Sequence, residues 1–129
     1  MKYECIYNAS ENVVEAITHG KGDMTQLLEM MQCVLDLCGQ QESANILIDY
    51  SELDAQSLTM ENIETLGRKA AEKKDVCKVR KCANVVTNDL QFGLVRAWEI
   101  IVQLYDLVDL EIRLFKNRDE ATEWIRAAT

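Results

Sequence analysis

The sequence contains no proline and only five glycines, so the residues that usually mark linkers between domains are scarce. A chain of 129 residues suffices for one domain and is short for two ordinary ones. Hydrophobic residues make up 48% of it, enough to bury a core, which excludes an intrinsically disordered protein. We therefore expect residues 1–129 to form a single domain.

Positive charge and long apolar runs are also lacking. The sequence has 14 Lys and Arg residues and 22 Asp and Glu residues, and the resulting net charge of −8 disfavours nucleic acid as a partner. No apolar run approaches the roughly 20 residues that a membrane span needs, and the first residues have no signal-peptide pattern. These absences predict a cytoplasmic protein without a transmembrane segment.

Motifs for metal, cofactor or nucleophilic chemistry are missing as well. The five cysteines form no Cys-x-x-Cys pair, and only His19 could join them in a zinc site. Gly20-Lys21-Gly22 has the spacing of neither a P-loop nor a dinucleotide loop, so it predicts a strand-to-helix turn. We expect reduced structural thiols, no cofactor and no catalytic residues; an enzyme using His19 with a cysteine is the least favoured hypothesis.

The hydrophobic pattern predicts an α/β fold. Residues 3–7 and 13–18 have strand composition, and the five turn-forming residues between them favour an antiparallel hairpin. Asp23 with Gln26 forms a capping-box pattern at the start of a helix that ends at Gly39. Strands over 45–50, 82–87 and 110–115 then alternate with helices over 59–74, from Asn88 or Asp89 to 106, and from Asn117. This order predicts an N-terminal β-hairpin followed by β-α repeats, with four helices on a five-stranded, mostly parallel sheet.

The C-terminal third resembles the SpoIIAA-like branch of the STAS superfamily. The matching pieces are Asn88-Asp89, Phe92-Gly93-Leu94, Arg96, Trp98-Glu99, Arg118-Asp119-Glu120-Ala121 and Trp124, with Leu47-Ile48-Asp49-Tyr50 and Leu53-Asp54 upstream. The resemblance implies a β-hairpin leading into a β-α superhelix, a shape shared with CRAL-TRIO lipid carriers. It also implies a non-catalytic regulator or a small-ligand module.

One stretch departs from the superfamily pattern. Anti-sigma-factor antagonists carry Asp-Ser-Ser-Gly or a similar motif, whose serine is phosphorylated at a helix start. The corresponding stretch here runs from Leu53 to Thr59, where Ser57 is only near that position and no glycine follows it. The resemblance therefore does not carry a phosphorylation switch over to Ser57.

Polar residues follow the predicted parallel strands, where open α/β sheets bind their ligands. Asn88, Asp89 and Asn117 form this candidate rim, and the helices that begin there aim backbone N–H groups toward the same edge. A small polar or anionic ligand is one interpretation. The favoured one is that these residues are helix N-caps.

Seven of the 14 basic residues fall between Arg68 and Lys81. Lys73, Lys74 and Lys78 are the candidate docking patch within this stretch, and its partner would be an acidic protein or anionic headgroups. The favoured interpretation is an ordinary solvent-exposed helix end, where lysines also interact favourably with the helix dipole.

The third predicted helix has an unusually wide apolar arc of about 220°. Val95, Trp98 and Val102 lie on one shoulder of this arc, and Ala97, Ile100 and Leu104 lie on the other. A monomer that left the first shoulder in water would expose an apolar patch, so we predict a homodimer anchored by Trp98. The competing possibilities are that neighbouring helices cover both shoulders, or that an apolar ligand lies against one of them.

Taken together, these patterns predict a non-catalytic, STAS-like regulatory module that acts through protein–protein interaction. The alternative is a carrier or sensor of a small apolar or lipid-like ligand.

Overall fold

The computed structural model describes residues 1–41, 43–72, 80–104 and 110–127, and their elements follow the predicted order. The strands are β1 (Lys2–Asn8), β2 (Val13–Lys21), β3 (Asn45–Asp54), β4 (Lys81–Val85) and β5 (Glu111–Phe115). The helices are α1 (Met24–Gly39), α2 (Met60–Glu72), α3 (Asp89–Leu104) and α4 (Arg118–Arg126). The α/β fold with its N-terminal hairpin is confirmed.

The strands form one sheet in the order β1-β2-β3-β4-β5. β1 pairs antiparallel with β2, and every later pair is parallel, because a helix crosses over between consecutive strands. Asn12 closes the hairpin at φ 54°, a left-handed conformation that asparagine tolerates, and its Oδ1 accepts a 2.7 Å hydrogen bond from the Tyr7 hydroxyl.

β2 and β3 are longer than the sequence predicted. Their parallel pairing resumes after an irregularity between Ile17 and His19 and continues to the pair of Lys21 with Asp54. Gly20 lies inside β2 at φ 81°, a conformation that suits glycine because it has no Cβ. The turn predicted over Gly20-Lys21-Gly22 is therefore wrong for its first two residues, and the chain leaves the strand only at Gly22.

The helices divide unequally between the two faces of the sheet. One face carries α1, α2 and α3, and the other carries α4. The larger core contains Val14, Ala16, Ile46, Ile48 and Cys82 from the sheet with Leu27, Met30, Val34, Ile63 and Leu66 from the helices. The smaller core contains Val13, Leu47, Ala83, Val85, Ala121 and Ile125, with Phe115 and Trp124 beside it.

Lys81 fixes the C-terminal end of α4. Its side chain is buried, and Nζ donates 2.8 Å hydrogen bonds to the carbonyl oxygens of Trp124 and Ala127. The same Nζ lies 5.2 Å from the centre of the Trp124 ring, a cation–π contact. The buried charge is thus paired with carbonyl groups at a helix end, where the dipole favours a cation.

Candidate interaction surface on the third helix

α3 begins at a hydrogen-bonded junction with the sheet. Asn88 caps it, since its Oδ1 accepts a 2.9 Å hydrogen bond from the backbone N–H of Gln91. The Gln91 side chain is buried; its Nε2 donates to the Leu53 carbonyl at 2.9 Å, and its Oε1 accepts from the Thr87 N–H at 2.8 Å. One amide therefore ties the start of α3 to the ends of both β3 and β4. Nothing in the sequence pattern indicates this role of Gln91, because its Leu53 partner lies 38 residues away in the chain.

The three rim residues do not meet in one place. Asn88 and Asp89 lie at the start of α3, whereas Asn117 starts α4 on the opposite face of the sheet. Asn117 Oδ1 accepts a 2.9 Å hydrogen bond from the Glu120 N–H, so both asparagines serve as helix caps. Asp89 is exposed in the first turn of α3. Ligand binding at this rim stays a prediction.

The shoulder that was predicted to pack against a second copy is covered within one chain. Val95 is only 8% exposed and Val102 is fully buried, while Trp98 is half-buried and packs against the larger core. The helical spacing correctly put these three residues on one side of the helix. It could not show that this side faces the sheet, so the expectation that they would be exposed in a monomer is wrong.

The other shoulder contains two exposed apolar side chains of α3, while its Ala97 packs against the larger core and the exposed Phe92 lies elsewhere on the helix. Leu104 is 79% exposed and Ile100, one turn earlier, is 56% exposed. Leu90 is also exposed, and Gly93 faces open space on the same side of the helix. We call Leu90, Gly93, Ile100 and Leu104 the outer apolar face.

Neighbouring groups define the borders of the outer apolar face. On one side, Ile101 packs against Gly67 of α2, which shows that α2 covers the adjoining flank. On the other side, Arg96 forms a 3.0 Å ion pair with Glu99. The outer apolar face therefore lies between a packed helix and a charged stripe, an arrangement typical of protein interaction sites.

Ser57 and His19 lie outside the outer apolar face. The Ser57 hydroxyl is exposed and donates a 2.9 Å hydrogen bond to the Gly22 carbonyl. His19 is exposed in β2. Within the described residues, no group of three or more His, Cys, Asp or Glu side chains could hold a metal ion. No helix in those residues is long and apolar enough to cross a membrane.

The candidate docking patch of Lys73, Lys74 and Lys78 lies outside the described residues. Of the basic residues on either side of it, Arg68, Lys69 and Arg80 are exposed, whereas Lys81 is buried against α4. An acidic partner for this patch stays a prediction.

Comparison with known proteins supports the resemblance in the C-terminal third and extends it over most of the chain. No curated protein matches the chain, and no solved structure matches it. A family model described as SpoIIAA-like matches residues 14–126, from the second strand of the hairpin to the end of α4. The chain belongs to the SpoIIAA-like family, a branch of the STAS superfamily.

Proposed function

We propose that this protein is a non-catalytic regulatory module that works in the cytoplasm by binding protein, and that its outer apolar face pairs with a second copy of the chain. The observation that carries the proposal is the exposure of Ile100 and Leu104 side by side on α3. Membership of the SpoIIAA-like family is consistent with a regulatory role.

Burial of the outer apolar face against a second copy would be favoured by the hydrophobic effect. Each Å² of apolar surface removed from water contributes about 25 cal/mol before the costs of association are subtracted. A two-fold axis would place the same four residues of each copy against one another. Each aliphatic side chain would then be buried in both copies, which doubles the apolar area removed from water. The Arg96–Glu99 pair would remain at the polar rim of such an interface.

Sedimentation velocity at micromolar concentration tests the proposal. We expect a dimer for the wild type and a monomer for the double variant Ile100→Asp/Leu104→Asp, because two carboxylates per copy cannot be desolvated without partners. The matched control is Phe92→Asp/Gln103→Asp, which adds the same two charges to exposed positions of α3 outside the outer apolar face. The control should remain dimeric, and both variants should keep the wild-type circular dichroism spectrum.

Two results would contradict the proposal. One is a wild-type monomer across the concentration range, and the other is a dimer that survives Ile100→Asp/Leu104→Asp. Native mass spectrometry of the same samples distinguishes the alternative function. A retained small apolar molecule on a monomer would favour a carrier or sensor over a protein-binding module.

A further inference from the structure

An exposed carboxylate of α2 borders the outer apolar face. α2 packs beside α3, and Gly67 is level with Ile101, because a methyl group at Gly67 would overlap that side chain. Glu64 precedes Gly67 by three residues and is turned about 60° from it, on the side away from the buried Ile63. Ile63 faces the sheet, so the Glu64 side chain lies on the outward side of α2, next to α3.

Arg96 borders the same face from the opposite side, almost level with Glu64. Both helices connect parallel strands of one sheet and therefore run in the same direction. Glu64 is thus level with Trp98, and Arg96 lies about 3 Å from that level along α3. The Arg96 side chain is 54% exposed. Its ion pair with Glu99 uses one of the five N–H donors of a guanidinium, so Arg96 can also bind a second carboxylate.

We propose that two copies of the chain pair with their α3 helices parallel, so that Arg96 of each copy binds Glu64 of the other. This arrangement rests on the proposed dimer through the outer apolar face, and it adds α2 and two ionic contacts to that interface. The interface is then a bundle of four helices, α2 and α3 from each copy, with Ile100 and Leu104 at its centre.

The charges at the two borders select this arrangement. A two-fold axis that crosses the helices would make them antiparallel and would bring each border against the same border of the second copy. Arg96 would then lie near Arg96, and Glu64 near Glu64, because both residues are close to the middle of the face. An axis along the helices makes them parallel and brings each border against the opposite one. Arg96 then meets Glu64 twice, and opposite charges replace like charges at every contact.

The other exposed charge on this side of α2 does not oppose the parallel arrangement. Arg68 follows Glu64 by one turn, and the exposed residue at its level on the far border of α3 is Gln103. The Gln103 amide is uncharged and can accept a hydrogen bond from a guanidinium. The contacts between Glu64 and Arg96 are therefore the ones that charge reversal should change.

Charge reversal and sedimentation velocity test the arrangement. Arg96→Glu places two carboxylates at each contact between the copies, and Glu64→Lys places two cations there. We expect each variant to dimerise about tenfold more weakly than the wild type, or worse. An equimolar mixture of the two variants should dimerise as the wild type does, because the mixed dimer has opposite charges at both contacts. Glu29→Lys is the matched control, since it makes the same charge change at an exposed position of α1.

The possible results separate this arrangement from the dimer itself. A wild-type monomer would contradict both. A stable wild-type dimer that Glu64→Lys does not weaken would contradict only the parallel arrangement, because an antiparallel dimer exchanges one like-charged contact for another. A mixture of Arg96→Glu and Glu64→Lys that stays as weakly associated as either variant alone would also overturn it.

Oxidative cross-linking gives a second measurement without any reversal of charge. In the parallel arrangement Leu104 lies opposite Leu104 of the second copy, whereas in the antiparallel one these residues are about 20 Å apart along the helices. A disulfide needs Cα atoms within about 7 Å of each other, so oxidised Leu104→Cys should form a covalent dimer. Peptide mapping should show the link between the two substituted positions, and the wild type is the control for the native thiols. A link that forms only in a mixture of Leu90→Cys and Leu104→Cys would show antiparallel pairing and overturn the proposal.

Discussion

At the scale of single residues, two buried amides differ in how well they are paired. Gln91 uses its carbonyl and its NH₂ group in hydrogen bonds shorter than 3.0 Å. Asn84 is buried in β4, and its Nδ2 donates only at long range, 3.4 Å to the Cys82 carbonyl and 3.5 Å to that of Arg113. Its Oδ1 accepts no hydrogen bond within the part of the chain that the structure describes. A buried acceptor without a partner keeps the full cost of its desolvation.

Leucine substitution at these two positions should change stability in opposite directions. Asn84→Leu keeps the branching and the number of heavy atoms of the side chain and removes an unpaired oxygen from the core, so we expect the free energy of unfolding to rise by about 1 kcal/mol. Gln91→Leu removes the hydrogen bonds that the Leu53 carbonyl accepts and the Thr87 N–H donates, and it should lower the free energy of unfolding by about 2 kcal/mol. Urea denaturation measures both changes. Destabilisation of equal size in the two variants would contradict the conclusion that the Asn84 oxygen is unpaired and the Gln91 amide is paired.

At the scale of secondary-structure elements, α2 and α3 meet at a glycine. Gly67 is buried, and a methyl group there would overlap Ile101 Cγ2 and lie 3.3 Å from Ile101 Cβ. Both atoms belong to the branch point of a β-branched side chain, which cannot swing aside. The absence of a side chain at Gly67 therefore allows the two helices to approach closely.

Alanine substitution separates this packing role from helix propensity. Gly67→Ala should lower the free energy of unfolding by about 1 kcal/mol, because overpacking costs more than the roughly 1 kcal/mol of helix propensity gained. Gly93→Ala is the matched control, since open space surrounds Gly93, and it should raise stability by about 1 kcal/mol. The measurement is made in the Ile100→Asp/Leu104→Asp background, where dimerisation is not expected to contribute.

Rescue by a second substitution completes this test. Ile101→Ala removes the atoms that Gly67→Ala would strike, so in that background Gly67→Ala should become neutral or stabilising. Equal effects of Gly67→Ala with and without Ile101 would show that the close approach is not what requires glycine.

The same elements show how far the sequence could predict the structure. The caps Asp23 and Asn117 were predictable because each bonds to a backbone N–H three residues ahead in the chain. Which shoulder of α3 faces the sheet depends on residues far away in sequence, such as the contact of Gly67 with Ile101. Helical periodicity shows which residues share one side of a helix, but the tertiary packing decides which side is buried. The sequence therefore predicted that α3 is unusually apolar, but it could not predict which of its sides is exposed.

At the scale of the whole molecule, ion pairs hold α4 against the first hairpin. Arg118 at the start of α4 lies 3.3 Å from Glu15 of β2. Arg126 at its end makes two hydrogen bonds to Glu11, from Nε to Oε2 at 2.9 Å and from NH2 to Oε1 at 2.7 Å. This pair joins residues 115 positions apart, so it connects the hairpin turn to the last helix of the chain.

The pair between Glu11 and Arg126 predicts a pH-dependent contribution to stability. Hydrogen bonds from Arg126 lower the pKa of the Glu11 carboxyl in the folded protein. A carboxyl whose pKa is lower in the folded state stabilises the fold above its unfolded pKa, about 4.3 for glutamate, and loses that effect as the pH falls through the folded pKa. We therefore expect Glu11→Gln to lower the unfolding temperature at pH 7, and the difference from wild type to shrink below about pH 4.

A comparison of three variants across pH decides whether the bidentate geometry causes this effect. Arg126→Gln should lower the unfolding temperature at pH 7 as Glu11→Gln does, and the double variant should be little worse than either single variant, because the two groups act through one contact. Glu72→Gln is the control, since its 3.9 Å pair with Lys69 is an exposed pair of neighbours on α2, and such pairs contribute little. A pH-independent loss in Glu11→Gln, or additive losses in the double variant, would mean that the hairpin and α4 are held together by packing instead. A drop in unfolding temperature that is confined to pH values above about 4 would show that the pair of Glu11 and Arg126 stabilises the packing of α4 against the hairpin.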